Sequence, residues 1–423
     1  MTNRPDFERN VAAWLNAAAG QGTPDYLDEI EGRVAIVRQR AWWSSPERWL
    51  PMDLTTRASS LNPPRVGRAL LIAILLVAIV ATAVLLVGSR RRVPPPFGPA
   101  GNGAIVYSNS GDIYLSDPSG DPRLVLGGTT VDLGPLFSND GTRIAFLRQV
   151  SDRTFQYMVM DADGTHPTAL NHDPLTDPDK WDWSPDGSRL VVMHTVADRR
   201  VLSILPTDGS GAIRRLDVGG LEPDSPAWQP PAGDEIVFLG NTDRGSAGAL
   251  FAIRPDGTGL RALTPNIAGR DSEPRLSPDG GAVAYTSFDK PDDSADGSGG
   301  HVHVFDLAAG VDRRIGGDPS SAYEIWPQFS PDGRQVLYQR YGVDAPMRLM
   351  IAAADGTGSA RQVGPAQDAD TDYIVAFSPD GTKLFVVRRG LSRWQLIDVA
   401  DGSVQYGTSV DDWAHWQRVA AAE

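Results

Sequence analysis

The sequence predicts a mainly β protein: a β-propeller of seven four-stranded antiparallel blades, with six as the alternative count. A transmembrane helix and a short α-helical head are expected to precede it. Three observations carry this expectation. The phrase Ser-Pro-Asp-Gly recurs at a spacing of roughly 45–50 residues, the mark of a repeat architecture. It stands intact at Ser184–Gly187, Ser277–Gly280, Ser330–Gly333 and Ser378–Gly381, with a near copy at Ser138–Gly141. Short β-branched and aromatic runs flank each copy, the composition of strands. Ala69 to Gly88 is an uncharged run long enough to cross a bilayer.

Four segments follow in chain order: a helical head over 1–66, the span with its flanking arginines over 67–92, a Pro-rich tether over 93–100, and the propeller over 101–423. In the head, Phe7, Val11, Trp14, Leu15 and Ala18 fall at helical spacing. Thr23 can cap a second helix with Pro24 at its first position, and Leu27, Ile30, Val34 and Val37 make its apolar stripe. Two such helices bury little core alone, so they are expected to pack on each other, on the membrane or on a partner. The Pro-broken run that follows holds Trp42, Trp43 and Trp49, aromatics suited to a protein interface or to closing the helical hairpin.

The run Ala69–Gly88 is apolar on every face, unlike a soluble helix, and lies too far from the N-terminus for a signal peptide. A single-pass membrane protein is therefore expected. Arg57, Arg65 and Arg68 precede the span and Arg90, Arg91 and Arg92 follow it, so flanking charge does not orient it. A small head, one span, a stiff tether and a large outer domain favour a cytoplasmic N-terminus and an extracytoplasmic propeller.

Within each repeat, Pro presets the second turn position, Asp tolerates the third, and Gly accepts the left-handed conformation at the fourth. The phrase thus suits a tight hairpin with a bulge. Its members are Ser184, Pro185, Asp186 and Gly187; Ser277, Pro278, Asp279 and Gly280; Ser330, Pro331, Asp332 and Gly333; and Ser378, Pro379, Asp380 and Gly381. Post-turn strands start near Ala104, Arg143, Arg189, Glu235, Ala282, Gln335 and Lys383, which makes seven. The repeat at Glu235 has lost its phrase, and Gln229–Asp234 stands in its place. Phe137, Trp183, Trp228, Phe329 and Phe377, just before the turns, are expected in the blade core. The run Trp413–Gln417 has no partner nearby, and pairing it with the first blade would close the ring and remove free edges.

The pre-turn aromatic, the Ser-Pro-Asp-Gly turn, the apolar strand and the Asp-Gly strand end resemble the WD40-like propeller repeats of the TolB type, over roughly Gly101 to Arg418. That resemblance implies a protein-interaction platform or the gating propeller of a peptidase. The head, span and outer domain together are similar in architecture to single-pass anti-sigma-factor-like proteins. The His/Cys zinc pattern of many such heads is absent, because the chain has no cysteine.

The net charge is −14. The head balances eight Arg against eight acidic residues, so the surplus sits in the propeller. Acidic surface repels phosphates, and no nucleic-acid partner is expected. There is no Gly-x-Ser-x-Gly nucleophile elbow and no phosphate-cradling loop. Asp161 and Asp163, and the stretch Asp289 to Asp296, could ligate calcium, but counting from Asp161 puts His172 where an EF-hand loop needs its closing Glu. Plain turns are the expectation. His301 and His303 share one strand face and could begin a zinc site, which needs further ligands. No catalytic residue, metal or cofactor is expected. The function expected is a membrane-anchored, non-enzymatic binding or sensing module for a protein, peptide or glycan. The alternatives are a metal-assisted lyase or lactonase in the propeller funnel, or a structural envelope scaffold.

Overall fold

The computed structural model describes residues 94–117, 122–241, 248–264, 274–288, 299–315, 323–342, 345–367, 373–388, 393–408 and 414–421. These contain strands and turns and no helix, and so none long and apolar enough to cross a membrane. The expected helical head, the span Ala69–Gly88 and Trp42, Trp43 and Trp49 lie outside the described residues.

The strands run as follows. The first sheet takes β1 (Gly101–Asn109), β2 (Asp112–Ser116) and β3 (Arg123–Leu126). Next come β4 (Asp132–Phe137), β5 (Arg143–Ser151), β6 (Thr154–Asp161), β7 (Thr168–Ala169), β8 (Leu175–Thr176), β9 (Trp181–Trp183), β10 (Arg189–Val196), β11 (Arg199–Pro206) and β12 (Arg214–Arg215). Four-strand sets follow: β13 (Glu222–Trp228), β14 (Ile236–Asn241), β15 (Ala249–Ile253) and β16 (Arg261–Ala262), then β17 (Arg275–Leu276), β18 (Ala282–Phe288), β19 (Gly300–Asp306) and β20 (Val311–Arg314). The last are β21 (Tyr323–Phe329), β22 (Gln335–Gly342), β23 (Ala345–Ala353) and β24 (Arg361–Gln362), then β25 (Tyr373–Phe377), β26 (Lys383–Arg388), β27 (Arg393–Asp398) and β28 (Val404–Thr408), and finally β29 (Ala414–Val419).

The expectation of seven separate four-stranded blades, or six, is corrected. Among the described residues there are five four-stranded antiparallel sheets and one nine-stranded sheet that spans β4 to β12. The reason is β8. Its Thr176 pairs with Thr154 of β6 and with Thr195 of β10, so one continuous ladder replaces two free sheet edges. The ring closes between its ends, with Ile105 of β1 opposite Trp416 of β29. Apolar clusters bridge successive strand sets, and one, containing Tyr107, Phe385, Val387 and Trp416, joins β29 and the final sheet to the first sheet. Phe137, Trp183, Trp228, Phe329 and Phe377 are all buried in these clusters.

Each Ser-Pro-Asp-Gly turn carries the same hydrogen bonds. The Ser hydroxyl donates to the Asp Oδ1 at 2.5–2.6 Å and accepts the amide five residues on at 2.9–3.0 Å. The Asp also accepts the amide two residues on, as Asp279 does from Gly281 at 3.0 Å. The turns touch across sheets as well. A Cβ on Gly280, whose φ is +71°, would sit 1.9 Å from the Pro230 carbonyl oxygen. Glycine is required there twice, by dihedral and by space.

The segment leading into the first sheet lies against its end. The Ala100 amide donates to Pro379 O at 2.9 Å, and Arg418 donates to Pro95 O at 3.1 Å and to Gly98 O.

Candidate functional site: the inner ring of the propeller

At three places the first strand of one repeat is hydrogen-bonded to the first strand of the next. The residue just before the pre-turn aromatic makes this contact. Asp182 Oδ2 accepts the Trp228 amide at 2.8 Å, Gln328 Oε1 accepts the Phe377 amide at 3.2 Å, and His415 Nδ1 accepts the Phe137 amide at 3.3 Å. Arg275 holds the corresponding place on β17, and Leu136, Ala227 and Ala376 hold it elsewhere. Neighbouring first strands in contact are the innermost strands of a propeller, around its central channel. Four polar side chains from four repeats therefore converge on the axis at one level.

Their environment changes their chemistry. Burial pushes the Asp182 carboxyl up to about 6, against the Trp228 and Trp183 amides and the Arg275 guanidinium, which all favour its charged form. Burial also pushes His415 down to about 4, and the charge of Arg418 adds to this. With Nδ1 accepting a main-chain hydrogen bond, the neutral ring carries its proton on Nε2. Both residues keep part of their surface open to solvent. The ring thus presents an acid that titrates near neutrality, a guanidinium, an amide and a neutral imidazole.

At the other end of the inner strands, carboxylates meet arginines. Asp132 binds Arg148 through both oxygens at 2.8 and 2.9 Å, and Glu324 binds Arg340 at 2.6 and 3.0 Å. Glu324 Oε2 is buried with no hydrogen-bond partner among the described residues. Lys180 and Arg200 both reach Asp224. In between, β4, β13 and β21 each carry a bulge whose extra residue has positive φ and precedes proline: Gly134 at +59°, Ser225 at +47° and Trp326 at +55°. A tryptophan in that region is strained, and such strain gathers where function or closure demands it.

The turn residues around Asp186, Asp279, Asp332 and Asp380 lie in the hairpins described above and do not form a common site. Asp163 accepts the Thr165 hydroxyl and amide, which hold its carboxyl below the usual range, and Asp161 meets His166 at 2.8 Å. His301 Nδ1 accepts from Arg314 at 2.9 Å, and His303 donates to Asp312 at 2.8 Å. Among the described residues, no group of three or more His, Cys, Asp or Glu is placed to hold a metal. Asp289–Asp296 lies outside the described residues. The inner-ring residues carried no repeating signal, because the position alternates between polar and apolar types.

The fold is a β-propeller, and part of the sequence is similar to TolB. No family model matches the chain. It is 31% identical over 148 residues to the Tol-Pal system protein TolB of Bordetella parapertussis, covering 34% of this chain and 32% of that protein. It is 26% identical over 113 residues to dipeptidyl-peptidase 5 of Porphyromonas gingivalis, covering 26% of this chain and 16% of the peptidase. The chain therefore spans a third or less of the length of these curated relatives. Among solved structures, the Pseudomonas aeruginosa periplasmic gluconolactonase PpgL superposes with a TM-score of 0.54 at 17% identity, over 75% of this chain and 99% of that one. An oligogalacturonate lyase in complex with manganese gives 0.50 at 16% identity, over 71% and 83%. At such identities these two structures speak for the fold alone.

Proposed function

We propose that this chain is a non-enzymatic binding module that takes a protein, peptide or glycan at the axial face of its propeller. The observation that carries this reading is the inner ring: Asp182, Arg275, Gln328 and His415 offer hydrogen-bonding groups of every charge type at one level. The TolB match supports a protein ligand first. The module acts at a membrane, with the propeller on the extracytoplasmic side and the head contacting a cytoplasmic partner. The uncharged run Ala69–Gly88 in the sequence supports that location. Crosslinking of the full chain in intact cells tests the ligand. Wild type is expected to capture a partner that the Arg275→Glu variant loses, whereas equal capture by both would sink the axial reading. Protease added to intact cells is expected to degrade the propeller, and degradation only after permeabilisation would reverse the orientation.

A second reading, a funnel enzyme of lyase or lactonase type, is favoured by one observation. An acid that titrates near 6 inside a channel is poised for proton transfer. A stoichiometric metal in the purified protein, lost together with activity in Asp182→Asn, would replace the binding reading with this one.

A further inference from the structure

The one repeat that lost its turn phrase leaves a cavity of about 330 Å³ at the turn face, in the seam between the β9–β12 strands and the β13–β16 sheet. Arg189, Arg214 and Arg254 line it, with Asp234, Asp256 and the Gly233 backbone. We propose that this cavity is a binding site for a small oxyanion, the carboxylate or phosphate group of a ligand.

The comparison with the preceding repeat carries the argument. Arg143 stands where Arg189 stands, one repeat earlier, and its guanidinium lies 5.3 Å from the Trp183 ring. There it donates to the Gly187 carbonyl of the next Ser-Pro-Asp-Gly turn and to Thr207 Oγ1 at 3.1 Å. Arg189 stacks in the same way, 4.7 Å from the Trp228 ring. Opposite it, however, the turn Gln229–Asp234 has replaced the phrase. Its guanidinium has no hydrogen bond among the described residues, while the Trp228 stack holds it in place. The guanidinium therefore lines the cavity with its hydrogen-bond donors unspent, beside the Asp186 carboxylate whose charge it favours.

The other two arginines converge on the same space. Arg214 donates to the Asp256 carbonyl, and Arg254 lies 3.5 Å from Thr258 Oγ1. Asp256 spends one carboxylate oxygen on its own turn, accepting the Thr258 amide at 2.8 Å and hydroxyl at 2.6 Å. These bonds, with Arg254 and Arg214 near, hold its carboxyl below the usual range. Three guanidinia against two carboxylates leave the cavity net positive, in a chain whose net charge is −14. Guanidinium forks match carboxylate and phosphate geometry, and each such charge-assisted pair is strong.

Isothermal titration of the purified full chain with inorganic phosphate, and in a second arm with citrate, tests the site at low ionic strength. Saturable binding is expected. Arg214→Ser and Arg254→Ser should each weaken it about tenfold, and Asp234→Asn should strengthen it. Both arginines are exposed, so unchanged urea midpoints are expected to show that these variants stay folded. Phosphate binding alone would assign the phosphate class, and citrate binding alone the carboxylate class. The axial variant Arg275→Glu should leave the titration unchanged, which separates this site from the proposed axial one. Absence of saturable binding in both arms, or binding that survives the Arg214→Ser/Arg254→Ser double variant, overturns the proposal.

Discussion

At residue scale, two glycines in the left-handed region separate the cost of a dihedral from the cost of a clash. Gly310 has a φ of +63° and nothing within 4 Å of an added Cβ, whereas Gly280 at +71° would drive that carbon into the Pro230 carbonyl. Gly310→Ala should cost about 1 kcal/mol. Gly280→Ala should cost about 3 kcal/mol or more, because sheet must move against sheet; urea unfolding of both measures the difference. The inner-ring acid and imidazole make a second prediction, with opposite signs. Asp182 titrates near 6 in the fold and near 3.8 when unfolded, so its contribution to stability is full below 3.8 and is lost as pH rises through about 6. His415 titrates near 4 in the fold, below its ordinary 6.5, so its contribution is present above 6.5 and is lost as pH falls through about 4. Between pH 6 and 4 the two oppose, each worth at most about 3 kcal/mol. Asp182→Asn should therefore make stability fall more steeply over that window than in wild type, and His415→Gln should flatten the fall. Urea midpoints at pH 4.5, 6 and 7.5 decide it. If the Asp182→Asn profile matches wild type, the carboxyl is not shifted.

At the scale of strands, ion pairs that look alike in sequence differ in worth because of where the ladder puts them. Asp132 of β4 is 1% exposed and faces Arg148 across the β4–β5 ladder, while Asp177 meets Arg153 in open solvent at 37% and 67% exposure. Asp132→Asn leaves a guanidinium without its buried counter-charge and should cost about 3 kcal/mol. Asp177→Asn should cost under about 1 kcal/mol, and thermal unfolding of the pair checks the contrast. The strands themselves were readable where turn chemistry is local: Ser277, Pro278, Asp279 and Gly280 form a hairpin by their own hydrogen bonds, whatever surrounds them. The pre-turn aromatics were readable as core because each repeat needs one large side chain there. The two-residue strand β8 was not, since Leu175 and Thr176 sit between Pro174 and Pro178 with no strand-like run and gain order only from β6 and β10. Asp182, Arg275, Gln328 and His415 were equally hidden. Their shared position is a property of the closed ring, and Leu136, Ala227 and Ala376 interrupt any pattern along the chain.

At the scale of the whole propeller, the decisive contact is the pairing of its last strand, β29, with β1. A propeller without closure leaves two sheet faces and a strand edge open, and open edges recruit other chains. Here the last strand, β29, supplies the inner strand of the first sheet, with Gly101 opposite Val419 and Tyr107 opposite Ala414. Trp416 is 3% exposed and meets Phe385 edge to face at 6.2 Å, so the same strand also fills the seam with the final sheet. His415 from this strand caps the Phe137 amide, and Gln417 Nε2 donates to Gly141 O at 2.8 Å, tying β29 forward to the second repeat. One short strand thus joins three neighbours. Trp416→Ala should cost about 3–5 kcal/mol, the ordinary loss for a large buried aromatic, yet leave the strand pairing in place and the protein monodisperse. Truncation before Ala414 removes ladder, seam and cap together. It should lower the unfolding midpoint further than Trp416→Ala does and produce higher oligomers on size-exclusion chromatography, through pairing at the exposed edge of β1. Adding back a synthetic peptide of residues 414–423 should reverse the oligomerisation. Truncated protein that remains monodisperse, with an unfolding midpoint equal to that of Trp416→Ala, would mean that side-chain packing alone closes the ring and that the ladder between β29 and β1 adds nothing.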